Sequence, residues 1–551
     1  MRQMIIKAGI CILAFMGVVG LVILENEEEL LSRQLEISVV AGKEVITAWK
    51  QDGEDNYYLF LPSYAEMENL RLTSYSAEFI VKEGNYLMEQ GELLGQLPME
   101  YSISCVSEHT GEEFSLYIMK SENLPAVFLD TNSGTLEQIQ ADKEYEESGE
   151  LVIIDEKGNV QTDVGLSSVK GRGNTSFNNY EKKPFAVTTQ AESSLLGLGA
   201  GREYAFISNA SEPTLIRNDI MRAMEEAMGI PYAKRGKFVD LYVNQEYQGN
   251  YYLCPAVELG EDRIDITNTE LAMELFYSKD SYDSALNYET ADKKGKILEV
   301  NPKDITGGYL VERELGLRYK ADYEVMGSGF ITGTKEHFVV KSPKYCSVEQ
   351  IEYLADYFEE AEQAILQQDG KNPNTDRYYT DYIDMDSFVK KYLAEEISKN
   401  YDGGVTSSYF YKDSDLIDSR IYAAPGWDYD MSLGNYVDWM EEFSGEPKGI
   451  SKLAHHTYAT SWFPALYEKE DFYQKVIQYY KEYAEPFLDK LLTEELNEYY
   501  VTLQASAEMN HVRWAQELAK NPYYENREDS FEQLTTFVAQ RKEFLDGVWL
   551  E

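Results

Sequence analysis

The sequence predicts an α+β protein: an all-β, sandwich-like domain first, then a larger mixed domain whose last part is helical. Three observations carry this. Short alternating apolar and polar runs, punctuated by turn residues, fill residues 35–121. From Pro125 onward strand-like runs and helical periods are interspersed, and from about Ser461 the period is helical with many aromatics. A chain of 551 residues has room for roughly three or four domains, and the boundaries fall at 1–27, 28–122 and 123–551.

In the first segment Arg2 and Lys7 precede the uncharged run Ala8 to Leu24, and the acidic run Glu25 to Glu29 follows it. Positive before and negative after an apolar span orients the N-terminus inside. With Ile5 and Ile6 the span is about long enough to cross a bilayer. It closes on Val22-Ile23-Leu24 without a small-x-small cleavage site, so an uncleaved signal anchor is the first expectation and a cleaved signal peptide the second. Either places the rest of the chain on the extracellular face of the cell membrane or in the medium.

Composition narrows the partners. A net charge of −47 repels nucleic acid and anionic lipid, which leaves membrane contact to the N-terminal apolar segment alone. Four Cys without a CxxC pair and only five His argue against a thiolate zinc site, while a disulfide among Cys105, Cys254 and Cys346 stays open. Adjacent His455 and His456 cannot easily face one metal.

Residues 28–122 alternate as a sandwich does, in runs such as Tyr57-Tyr58-Leu59-Phe60-Leu61 and Phe114-Ser115-Leu116-Tyr117-Ile118-Met119. No catalytic residue stands out there, and a spacer or binding module of immunoglobulin-like type is expected. In the third segment Leu151 to Ile154 reads as a strand and Gly158-Asn159 as a turn. The loop Gly171-Arg172-Gly173-Asn174, followed by a strand carrying Lys182 and Lys183, suits a phosphate cradle with a cation. A helical pattern at Ile216, Ile220, Met221, Met224 and Met228 stops at Gly229-Ile230-Pro231. Phe238 to Tyr252 reads as a hairpin turning at Asn244-Gln245-Glu246. The acidic, weakly patterned stretch from Thr267 to Asp304 reads as an insertion or long loop. Gly307 to Glu312 and Phe338 to Pro343 look like strands, and Val348 to Gln368 and Asp386 to Lys399 like helices.

The stretch from Lys399 to Asn435 organises the rest. Asn400-Tyr401-Asp402 and a Gly-Gly step precede Tyr409-Phe410-Tyr411, a polar turn, Ile421-Tyr422 and Trp427-Asp428-Tyr429-Asp430. Two short aromatic strands around a turn suit a hairpin, with Asp402 before it and Asp428 after it. A catalytic carboxylate upstream and a metal-binding carboxylate downstream is the kinase arrangement for phosphoryl transfer.

Together several stretches resemble the spore coat protein H kinase-like (CotH) family, an atypical branch of secreted protein kinases. In family order they are Arg172-Gly173-Asn174-Thr175-Ser176 with Lys182-Lys183-Pro184-Phe185; Leu215-Ile216-Arg217-Asn218; Leu241 to Tyr247; Gly307-Gly308-Tyr309-Leu310; Val340-Lys341-Ser342-Pro343; Asn400-Tyr401-Asp402; and Trp427-Asp428-Tyr429-Asp430. The resemblance implies an atypical protein-kinase-like domain that uses ATP with Mg²⁺ or Mn²⁺ and phosphorylates Ser or Thr of a surface or secreted protein. It implies Asp402 as the catalytic carboxylate, Asp428 as the metal ligand with Asp430 as helper, and Arg172 with Lys182 or Lys183 at the phosphates. Ser407 stands where a kinase expects an Asn metal ligand. Pro255 stands where many relatives carry Glu, so that Glu258 would have to serve in its place. These two departures support the alternative of a non-catalytic surface module on the same fold; another phosphoryl or nucleotidyl transfer is a third reading.

Overall fold

The computed structural model describes residues 37–73, 79–81, 86–88, 102–107, 111–276, 285–316, 319, 327–521 and 526–551. The expected signal anchor lies outside them. Among the described residues no helix is long and apolar enough to cross a membrane. The chain divides into two compact units, residues 1–121 with Gln245–Tyr247, and residues 122–244 with 248–551.

The first unit holds β1 (Ser38–Ala41), β2 (Glu44–Thr47), β3 (Trp49–Lys50), β4 (Asn56–Leu61), β5 (Arg71–Thr73), β6 (Phe79–Val81), β7 (Tyr86–Met88), β8 (Ser102–Ser107) and β9 (Glu113–Lys120). β1 pairs antiparallel with β2 and β5. A second sheet runs β3-β4-β9-β8-β6-β7, with β4 and β9 parallel. Alternation buries Leu59, Leu61 and Leu116, while Tyr58 stacks on Tyr117 at 4.9 Å.

The second unit begins with β10 (Ala126–Thr131), β11 (Glu146–Ile154), β12 (Val160–Gly171), β13 (Phe185–Ser193), β14 (Gly201–Ile207), β15 (Lys237–Val243) and β16 (Glu246–Pro255). They pair in the order β14-β13-β12-β11-β10-β15-β16, and β14 also pairs with β16, so the sheet closes on itself. Each strand sends apolar side chains into one cluster, among them Leu129, Ile153, Val169, Val187, Phe206, Leu241 and Leu253. Closure removes the exposed edges of an open sheet. The β15–β16 turn is left-handed at Asn244 (φ 48) and Gln245 (φ 72), as a two-residue hairpin requires.

A second sheet is built from β17 (Leu286–Glu289), β18 (Lys293–Leu298), β19 (Tyr309–Arg313), β20 (Ser328–Ile331), β21 (His337–Ser342), β22 (Cys346–Ser347), β23 (Ser408–Lys412) and β24 (Ile421–Ala423). Its order is β17-β18-β20-β21-β19-β23-β24, with β22 beside β18. Phe338 and Phe410 of this sheet pack with Phe358, Phe388 and Trp462 of the helical part. The helix Val348–Leu366 starts on a Ser347/Gln350 capping box, and Met385–Ser398 starts on Asp384, whose carboxylate accepts the Ser387 N–H. The latter helix ends at Lys399 in the left-handed conformation.

One expectation is corrected here and one open alternative is closed. The stretch from Thr267 to Asp304 is not one long loop: it contains the helix Thr269–Phe276 and strands β17 and β18, with residues 277–284 outside the description. Its pattern is weak because β17 leaves most of its side chains exposed and β18 buries few, so no apolar period marks them. Cys105, Cys254 and Cys346 are separately buried and free, so no disulfide joins them.

The helix Gln504–Arg513 carries His511, whose Nε2–H donates to the Pro213 carbonyl at 3.3 Å. Burial, opposed by that bond, pushes its imidazole down to about 4. The unfolded chain therefore binds a proton below the ordinary value near 6.5 that the folded chain refuses. The stabilisation is complete above pH 6.5 and is lost as pH falls towards 4. Replacing His511→Gln, which keeps an N–H donor, should flatten stability between these values, read as denaturation midpoints at pH 7 and pH 4.5 for both proteins.

Candidate active site

The second unit contains a cleft of about 760 Å³ lined by Gly171, Arg172, Gly173, Glu312, Glu314, Lys341, Asp402, Ser407, Trp427, Asp428 and Asp430, among others. Arg172 enters on the loop after β12. Gly171 is required there because an added Cβ would lie 2.2 Å from the Phe177 ring, and Gly173 turns the chain with φ 82. The Arg172 guanidinium lies over the Trp427 ring at 5.1 Å.

Asp402 sits in the turn between the helix Met385–Ser398 and β23. Its carbonyl accepts the N–H of Val405 and Thr406 at 2.9 and 3.1 Å, which closes the turn through the Gly-Gly step. Asp428 follows β24 with φ 68, an uncommon conformation for a residue with a side chain. The two segments are laced together: Tyr401 N–H donates to the Met431 carbonyl at 3.3 Å, and Leu433 N–H to the Ser398 carbonyl at 2.7 Å. Asp430 accepts from Ser211 Oγ at 3.0 Å and from the Met431 N–H at 3.1 Å. Burial first, then the charge of Asp428, raises its carboxyl to about 7. Ser407 borders the same space with φ 52.

The structure thus brings together Arg172, Asp402, Ser407, Asp428 and Asp430 from the sequence reading. It does not bring in the two lysines or Glu258. Lys182 is buried and spends its three N–H bonds on Ser208 O, Asn250 O and Asn510 Oδ1 at 2.6, 2.6 and 2.7 Å. That burial drives its ammonium well below the usual range. Lys183 donates to the Phe177 carbonyl at 2.7 Å. Both precede β13 rather than lying in it, so strand alternation does not aim either at the cleft. Glu258 accepts from the Arg202 and Glu203 N–H groups and pairs with Arg263 at 3.2 Å; burial first, then the charge of Glu203, raises it to about 7.

Besides Arg172, Lys143 and Lys170, the cleft is lined by Lys341 of β21, which pairs at 3.2 Å with Glu312 of neighbouring β19. In the sequence Lys341 stands in a family-like motif but carries no assigned role. A Lys inside a strand otherwise buried on both faces, as Phe338, Val339, Val340 and Ser342 are, was the available signal.

A model described as CotH kinase protein matches residues 169–545. The chain belongs to the CotH kinase family. A search of the curated proteins matches none of them. The CotH match covers the whole cleft except Lys143 and Glu144 at its rim.

A CotH kinase-like protein is expected to use a nucleotide and a divalent cation, and a hard cation calls for oxygen donors. Among the described residues no group of three or more His, Cys, Asp or Glu is arranged to hold a metal ion. Asp428 and Asp430 nevertheless supply two hard oxygen ligands, and Asp430 feels the Asp428 charge. Mg²⁺ bound by one or two carboxylates, with phosphates and water completing the shell, needs no more. The residues fit.

Proposed function

We propose that this protein is an exported kinase-like enzyme that transfers the γ-phosphoryl group of ATP to Ser or Thr of a surface or secreted protein. The reading is supported above all by one observation: Asp402 and Asp428, on either side of the β23–β24 hairpin, line one cleft with the Lys341–Glu312 pair and the Arg172 loop. Asp402 accepts the proton of the acceptor hydroxyl and orients it. Lys341, held by Glu312, and Arg172 neutralise phosphate oxygens. Asp428 and Asp430 would hold the divalent cation, which would offset the charge of the transferred group. Little covalent chemistry is asked of the protein; alignment and charge supply the rate.

The test is ATP binding to the full chain by calorimetry, with and without Mn²⁺. Asp428→Asn should weaken the Mn²⁺-dependent affinity by about tenfold or more while the folded state persists. Metal-dependent binding unchanged in that variant overturns the role of Asp428. No nucleotide binding under any condition favours a non-catalytic surface module.

A further inference from the structure

The left-handed backbone at Asp428 has to be held by its surroundings, since such a conformation persists only where the structure over-determines it. Its neighbours are held by one face of the helix Arg217–Ala227. Asn218, Arg222 and Glu225 follow one another at the four- and three-residue steps that line up along a helix. Asn218 Oδ1 accepts the Tyr429 N–H at 3.0 Å. The Arg222 guanidinium lies over the Trp427 ring at 5.3 Å. Glu225, fully buried, accepts twice at one oxygen, from the Gly426 N–H at 2.6 Å and from the Tyr429 hydroxyl at 2.9 Å. Arg222 approaches its other oxygen at 3.4 Å.

We propose that Glu225 is a positioning residue for Asp428, gripping the residues on both sides of it so that its carboxylate is presented to the cleft. The proposal rests on the reading of Asp428 as the metal-binding carboxylate. Gly426 makes the grip sterically feasible: a Cβ there would lie 1.9 Å from the Tyr429 hydroxyl and 2.6 Å from Glu225 Oε1. The same Tyr429 hydroxyl lies 3.3 Å from Glu395, which accepts from Asn400 Nδ2 at 2.9 Å. The clamp therefore reaches from the helix, through the Asp428 segment, to the turn that carries Asp402. Its chemistry resembles an outer-shell support, where loss of one hydrogen bond re-aims a ligand without removing it.

The test compares Tyr429→Phe, Glu225→Gln and Glu225→Ala in the full chain, reading ATP affinity with Mn²⁺ and without it. Tyr429→Phe deletes one hydroxyl and should weaken the Mn²⁺-dependent affinity about tenfold, the order expected for outer-shell partners. Metal-free nucleotide affinity should stay within about twofold. Glu225→Ala should lose at least as much as Tyr429→Phe, and Glu225→Gln, which keeps an acceptor oxygen, should recover most of the loss. If Glu225→Ala fails to fold, Tyr429→Phe still decides. Wild-type metal dependence in Tyr429→Phe overturns the proposal, and so does an equal loss with and without metal, which marks a merely structural contact. Absence of Mn²⁺-dependent binding in the wild type overturns the reading of Asp428 itself, and the proposal falls with it.

Discussion

Asp402→Asn should lower phosphoryl transfer from radiolabelled ATP to a dephosphorylated protein acceptor by about 10²–10⁴-fold, the span a positioned general base supplies. The amide has nearly the shape of the carboxylate but does not take the hydroxyl proton. The turn itself should survive, because its closing bonds run from the Asp402 carbonyl to the N–H groups of Val405 and Thr406 and involve no side-chain oxygen. Mn²⁺-dependent ATP affinity should therefore change by less than about threefold, since the proposed cation ligands Asp428 and Asp430 are untouched. Transfer at the wild-type rate in Asp402→Asn would remove the residue from the mechanism. A parallel loss of nucleotide affinity would make it a binding residue instead.

Arg541→Ala should destabilise the second unit by about 3–5 kcal/mol, the cost of breaking a buried pair by removing one partner. Arg541 is 1 % exposed, on the helix Arg527–Trp549. It donates to Glu396 O at 2.5 Å, Glu396 Oε1 at 2.9 Å, Ile397 O at 3.3 Å, Pro447 O at 2.9 Å and Gly449 O at 2.7 Å. Two of those carbonyls belong to the last turn of the helix Met385–Ser398, which has no intrahelical donors left for them. The adjacent ones are already served, Glu395 O by the Lys399 N–H and Ser398 O by the Leu433 N–H. One guanidinium thus finishes the helix that leads into Asp402. Lysine, a point charge without the planar fork, should rescue only in part. The measurement is the unfolding free energy from denaturant titration; a value within about 0.5 kcal/mol of wild type, the range of ordinary surface changes, would refute it.

Much of the second unit is legible in the chain itself because its signals are local. The capped helices Val348–Leu366 and Met385–Ser398, the Asn244-Gln245 hairpin and the β23–β24 hairpin each follow from period, cap or turn residues within a dozen positions. β17, β18 and the helix Thr269–Phe276 were not legible, because a short element with most of its side chains in solvent carries no apolar period.

The sequence by itself determined the family, through motifs in a fixed order, and the placing of Asp402 and Asp428 on either side of a hairpin. Only the tertiary structure decided that Lys341 lines the cleft and that Lys182 and Lys183 do not. The sequence points to Lys182 or Lys183 and gives Lys341 no role, yet three carbonyl oxygens from distant segments surround Lys182 and a glutamate on the next strand pairs with Lys341 beside the cleft. Closure of β14 on β16 and the grip of Glu225 on Gly426 and Tyr429 were likewise invisible beforehand. The reason is physical: caps and turns are satisfied by neighbours in the chain, whereas a buried charge is placed by whichever partners folding brings to it.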